Sequence, residues 1–295
     1  MPFAHRLIGC NIRPEPPVAQ PISAPKHSVV ERHPVLFYFA LTFAISWLGA
    51  FLVVAPRLLR SEPVPQLSGV LMFPVMLLGP SISGIALTWI LDGGRGIEAL
   101  FSRMRRFRLP LGWYAVLLIP PALILVVLVC LTNFVSAVFA PGSFLKGVGF
   151  GVPAGLLEEI GWTGYALPKM TRKTSALAAS IRLGLLWSIW HLPVIDFLGT
   201  ASPHGRFLPA YFLAFTAAMT AMRVLIAWSY VNTESLWLAQ LVHISSTGSL
   251  VALSPARVNS EQEALWYGIY ALAVWAVVVI LAKLFGMRLR RQVSG

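Results

Sequence analysis

Residues 111–131 read LGWYAVLLIPPALILVVLVCL, twenty-one positions without one charged side chain. A hydrocarbon core of about 30 Å takes about 20 apolar residues of helix to cross, and lipid obliges the backbone to satisfy its own hydrogen bonds, which a helix does. This run therefore sets the fold class as an all-α, polytopic membrane helix bundle. Working outward by the same rule, further spans fall at Val35–Ala55, Leu67–Leu91, Val148–Leu167, Ala176–Leu198, Ala210–Tyr230, Leu236–Leu253 and Leu265–Phe285. That makes about eight transmembrane helices, of which 148–167 and 236–253 are the least apolar.

The whole chain agrees with that reading. Hydrophobic residues make up 57% of its 295 positions and charged ones 12%, with mean hydropathy +0.74. Too little charge is left to solvate a soluble protein of this length. The net charge of +12 invites a nucleic-acid reading, but Lys and Arg collect at the ends of apolar runs rather than along one face, and no nucleic-acid partner is expected. With both termini cytoplasmic, the inner segments hold sixteen Lys and Arg and the outer ones five, the split expected of a multi-pass cell-membrane protein. Cys10 and Cys130 offer neither a disulfide framework nor a CxxC ligand spacing.

Residues 1–33, with six prolines, read as a flexible cytoplasmic arm. Residues 34–286 form the eight-helix domain and 287–295 a basic cytoplasmic tail. The segment Arg95–Arg108 carries Arg103, Arg105, Arg106 and Arg108 beside Phe101 and Phe107, and is expected to lie against anionic lipid headgroups. Gly93, Gly94 and Gly96 mark a turn.

Against this apolar background the ionisable residues within spans stand out. They are Glu158 and Glu159 in the fourth span, Arg182, His191 and Asp196 in the fifth, Arg223 in the sixth and His243 in the seventh. Each costs about 2.5–3.5 kcal/mol on insertion scales, so such residues default to pairing or function. Trp187 and His191 share a helix face, as do His243 and Thr247, while Glu158 and Glu159 diverge by about 100°. A carboxylate, two imidazoles and a hydroxyl on three helices can surround one pocket, where acid and imidazole deprotonate water and donors opposite hold an oxyanion. Structural alternatives stay open for each residue. The Glu pair could sit among headgroups beside Lys169 and Arg172, and His243 with Ser245, Ser246 and Thr247 could be a polar helix contact. Asp196 is expected near the outer end of its helix and solvated, and His204 and Arg206 in the outer loop, none of them with a part in chemistry.

The run Glu158-Glu159-Ile160-Gly161-Trp162-Thr163-Gly164-Tyr165-Ala166-Leu167-Pro168 resembles the first motif of the type II CAAX prenyl protease and bacteriocin-processing (CPBP or Abi) family. Leu186-Trp187-Ser188-Ile189-Trp190-His191-Leu192-Pro193 resembles its second motif, and Ser235-Leu236-Trp237-Leu238-Ala239-Gln240-Leu241-Val242-His243 the approach to its third. The resemblance implies an intramembrane endopeptidase acting on a peptide or membrane-protein substrate. By it, Glu158 and His191 activate water, Glu159 assists as a second acid, and His243 with Thr247 binds the oxyanion. Two positions depart from the pattern: Thr163 stands where the family has arginine, and Thr247 where it has asparagine or aspartate. Arg182 or Arg223 is the available substitute cation. A divalent metal such as zinc, on Glu158, His191 and His243, is a candidate cofactor, although no HExxH helix is present. The rival reading is a catalytically impaired family member acting as an immunity or membrane-protein binding factor. A proton-coupled transporter is a third, disfavoured by the lack of repeats. Since the fourth span runs inward, Glu158 falls in its inner half, and the site is expected near the cytoplasmic leaflet.

Overall fold

A computed structural model describes residues 28–290; the expected arm and tail lie largely outside them. Eleven α-helices run in chain order: α1 Val29–Arg32, α2 Pro34–Leu58, α3 Gln66–Met76, α4 Leu78–Met104, α5 Ile119–Phe134, α6 Lys146–Gly161, α7 Leu167–Thr171, α8 Ala176–Trp190, α9 Leu208–Thr233, α10 Leu236–Leu253 and α11 Ser260–Phe285. Among the described residues there is no strand. Among the described residues six helical stretches are long and apolar enough to cross a membrane: Pro34–Leu58, Gln66–Met104, Leu111–Phe134, Gly205–Thr233, Leu236–Leu253 and Ser260–Phe285. The fold is an all-α membrane helix bundle. The other two expected spans are helical as well but differ in kind. The fourth is α6 and α7 joined through a π-helical turn, Trp162–Ala166, and the fifth is α8, only 15 residues long.

Local chemistry accounts for the boundaries. Pro34 starts α2 at a position whose N–H needs no partner. Ser175, Ser235 and Asn259 cap α8, α10 and α11 by accepting from the backbone N–H of Ala178, Leu238 and Gln262. The fifth span was expected to run to Leu198, but α8 ends at Trp190. Pro193 disfavours helical geometry in the residue before it, and the chain continues through turns to a 3-10 segment at Ile195–Phe197. The expected turn at the glycine cluster is a kink instead: Gly93 takes φ +61° and the helix resumes to Met104.

Leu48, Leu52, Trp89, Ile90, Leu213, Leu272 and Leu284 point outward, as lipid-facing side chains do. Inside, α10 packs chiefly on α6, α11 and α8 on α9, and α4 on α6. The α6–α10 contact depends on Gly147, Gly151 and Gly155, one turn apart. A Cβ on Gly151 would come within 2.8 Å of Gly248 Cα, and one on Gly155 within 2.6 Å of the Gln240 carbonyl. Small residues let two helix backbones approach in lipid, where apolar burial alone gives no preference for protein over acyl chain. The Gln240 side-chain amide then donates to the Leu156 carbonyl at 2.8 Å and fixes the register. Gly184 does the same for α8 on α9, where a Cβ would meet Thr220 Cα at 2.6 Å.

Hydrogen bonds between loops define the two ends of the bundle. At one end Gly142 N–H donates to Leu253, the Gln66 amide to Phe197 and Thr200 N–H to Glu263. At the other Arg106 donates to the Thr233 carbonyl, Leu177 N–H to Met287 and the Asn232 amide to Leu289.

Candidate active site

Glu158 and Glu159 occupy the last turn of α6, where the helix widens into its π turn. A π turn is rare and shifts the register of the side chains that follow it. Here Trp162 donates its indole N–H to Glu158 Oε2 at 3.0 Å, and the Thr163 hydroxyl donates to Glu159 Oε2. Trp187, on α8, donates a second indole N–H to Glu158 Oε2 at 2.7 Å. Among the described residues the other oxygen of Glu158 takes no hydrogen bond, and the residue lines a cavity of about 120 Å³.

Glu159 turns the opposite way. Arg223 Nη1, from α9, reaches its two oxygens at 2.7 and 2.8 Å, and His243 Nδ1, from α10, meets Oε1 at 2.7 Å. All three side chains are buried. The Arg223 guanidinium also lies 4.2 Å from the centre of the Trp187 ring, a cation on a π face. One arginine thus neutralises the second acid and braces the indole that holds the first. Of the two candidate cations, the structure brings Arg223 to Glu159, while Arg182 is exposed on α8.

His191 is the residue that ends α8. Its Nδ1 donates to the Trp187 carbonyl at 2.8 Å, since a carbonyl only accepts, which leaves the Nε2 lone pair free in that tautomer. The His243 ring stands edge-on to Trp187 at 5.1 Å, and His191 does so at 5.5 Å, so the two imidazoles flank one indole. Thr247, one turn beyond His243, is half-buried. Glu158, His191, His243 and Thr247 all line the same cavity, with Phe73, Phe144, Phe150 and Phe215 as aromatic wall. Of the five residues singled out in sequence, four meet there and Glu159 stands behind them as support for His243.

Among the described residues no group of three or more His, Cys, Asp or Glu side chains, Glu158, His191 and His243 included, is gathered so as to hold a metal ion.

Several contacts here have no local signal. Arg103, expected among headgroups, turns inward to donate to the Gly164 carbonyl at 2.9 Å and the Tyr230 hydroxyl at 2.5 Å, closing the site's floor at the π turn. Asp196, which stays partly exposed as expected, and His204, expected in the outer loop, belong to a latch. His204 is buried, stacks on Tyr211 at 3.8 Å, donates its backbone N–H to Asp196 Oδ1 at 2.7 Å and lies 3.5 Å from the buried Glu263. Glu263 in turn accepts the N–H groups of Thr200 and Ala201 at 3.0 and 2.7 Å. The latch pins the loop that borders the cavity through Leu198, Gly199 and Thr200.

Residues 140–248, which span all three motifs, match the family model for the type II CAAX prenyl endopeptidase Rce1-like proteins. Over 137 residues the chain is 29% identical to the CAAX prenyl protease 2 of Methanococcus maripaludis, an overlap of 45% of this chain and 48% of that protein. The chain spans about half the length of the curated relative it matches. Motif order, the family model and this relative agree on the part of the chain that builds the site, and over that part the chain is similar to the type II CAAX prenyl endopeptidases.

Proposed function

We propose that the chain is an intramembrane endopeptidase that hydrolyses a peptide bond with water activated by Glu158 and His191. The observation that carries this reading is the convergence of Glu158, His191, His243 and Thr247, from three helices and distant sequence positions, on one cavity. A water between Glu158 and the His191 Nε2 lone pair gives its proton to the Glu158 carboxylate as its oxygen bonds to the carbonyl carbon. The oxyanion that forms accepts from the Thr247 hydroxyl, beside the His243 ring that Glu159 holds in place. Glu158 then passes its proton to the leaving nitrogen as the C–N bond breaks. The Trp162 and Trp187 donors hold the carboxylate in one orientation throughout.

No step is routed through a metal. The basic end of the bundle, with Arg172, Lys173 and Arg182 exposed around it, supports contact with anionic lipid headgroups.

The rival reading, an impaired member serving as a binding factor, rests on Thr163 and Thr247. Arg223 removes the first ground by supplying a cation to Glu159, and Thr247 keeps a hydroxyl donor at the cavity wall. A co-expression cleavage screen against membrane-anchored substrates decides between them. Wild type is expected to process at least one substrate, and Glu158→Gln and His191→Ala to lose about 10²–10⁴-fold in rate, the size of a general acid–base contribution. Equal processing by wild type and both variants would refute the peptidase reading. Chelator treatment of purified wild type is expected to leave its rate unchanged.

A further inference from the structure

Away from the acids and histidines, the end of the bundle where α8 begins holds a recess of about 520 Å³. We propose that this recess binds a phosphate ester, carried by an anionic phospholipid headgroup or by a soluble molecule. Arg172 and Thr174 reach it from the link between α7 and α8, Ser175 from the cap of α8, and Arg288 and Arg290 from the chain beyond α11. Val231, near the end of α9, borders it as well. The last two arginines are held in place rather than trailing. After α11 the chain hooks back through Gly286, φ +64°, and Leu289, φ +52°, whose side chain is buried. A leucine in the left-handed region is strained and persists only where its surroundings hold it. Here the Leu177 N–H donates to the Met287 carbonyl at 3.1 Å and the Asn232 amide to the Leu289 carbonyl at 2.7 Å. Arg290 Nε donates to the Val231 carbonyl at 2.8 Å, which leaves its two terminal nitrogens for a ligand.

The charge in this recess is unbalanced. Arg57, Arg106 and Arg223 each meet a carboxylate, those of Glu62, Glu234 and Glu159. Among the described residues no carboxylate pairs with Arg172, Arg288 or Arg290. Glu234 shares the adjoining recess with Arg290 but is engaged by Arg106 at 2.9 Å. A guanidinium stays protonated at any physiological pH, so the mutual repulsion of the three persists until an anion enters. Each presents a planar fork that matches phosphate oxygens two at a time. A phosphate offers more oxygens than a carboxylate and, as a monoester, more charge, which suits three forks rather than one. Ser175 Oγ accepts the Ala178 N–H at 3.2 Å and keeps its own proton to donate, and the start of α8 adds the positive end of its dipole. The recess is larger than a phosphate alone and leaves room for the alcohol half of the ester. It lies among the ends of α7, α8, α9 and α11, the kind of basic pocket between helix ends that takes lipid headgroups.

The site deepens the lipid-contact reading of this end and does not rest on the peptidase reading. The full chain in detergent is titrated by calorimetry with monomeric dihexanoyl-phosphatidylglycerol and, separately, with glycerol phosphate. Binding of the lipid alone assigns the recess to a headgroup, and glycerol phosphate binding as tightly assigns it to a soluble ester. Binding of neither would overturn the proposal. Arg172 and Arg288 are exposed, so Arg172→Gln/Arg288→Gln is expected to fold as wild type does. It should weaken the bound ester by at least about tenfold, the worth of one charge-assisted hydrogen bond. Arg288→Gln alone serves if the double variant is not recovered folded. Arg95→Gln/Arg108→Gln removes the same charge from exposed positions outside the recess and is expected to keep wild-type affinity. Equal loss in the two double variants would mean a general attraction of basic surface for anions and would overturn the site. Asn232→Ala keeps every charge but releases the Leu289 carbonyl, and it too is expected to weaken binding. Unchanged affinity there would overturn the part of the proposal that rests on the hook.

Discussion

Glu159 is held by Arg223, His243 and Thr163, and these three contacts explain how the site tolerates the loss of an arginine from its first motif. Thr163 and Arg223 approach the same carboxylate from different helices. The side chain at 163 already aims at Glu159, so a cation placed there can take over the charge if the space now filled by Arg223 is vacated. Arg223→Leu alone leaves a buried acid unpaired, a change that costs about 3–5 kcal/mol. It is expected to lower both thermal stability in detergent and cleavage rate. The double variant Thr163→Arg/Arg223→Leu is expected to recover most of each. Failure of the double variant to exceed the single one in either measurement would mean that Arg223 acts by more than its charge. The acids and histidines of this site were legible in sequence because each sits in a short local pattern and each is expensive in lipid. The Glu159–Arg223 pair was not, because its partners are 64 residues apart and nothing local to Arg223 says which acid it faces.

At the scale of elements, the α6–α10 contact sets the distance between Glu159 and His243. Gly147, Gly151 and Gly155 carry that contact, and a side chain at any of them must push the helices apart. Gly151→Leu is expected to destabilise by about 1–3 kcal/mol, the usual range for overpacking. It should also reduce cleavage beyond what unfolding explains, measured as a lower kcat at a temperature where the variant remains folded. Unchanged kcat would show that the two helices adjust without moving the site. Hydropathy located α6 poorly because its glycines and acids dilute the apolar signal, and those same residues are the ones that pack it and arm it. The early end of α8 was readable from Pro193. The π turn after Glu159 had no such marker: it is a backbone register shift, and residues 162–166 include nothing that forbids an ordinary helix.

Across the whole molecule, the two ends of the bundle differ in charge, closure and contents. Sequence counting found the charge difference and the alternation of helices that produces it. It did not find which residues border the cavity, because depth along one helix does not reveal what the other elements bring to it. That depends on Arg103 closing one end and on the loop at 198–200, latched by His204 and Glu263, bordering the other.

A cavity lined from one end of the bundle is taken here to have one door. Whatever enters to be cut must leave by the route it came in, and the two fragments must do so before the next chain can be threaded. Fragments that bind the aromatic wall therefore compete with fresh substrate. Added N- or C-terminal product peptide is expected to raise apparent KM with kcat unchanged, and a progress curve should slow well before substrate is exhausted. A through-going channel, in which one fragment departs on the far side, would show inhibition by only one of the two.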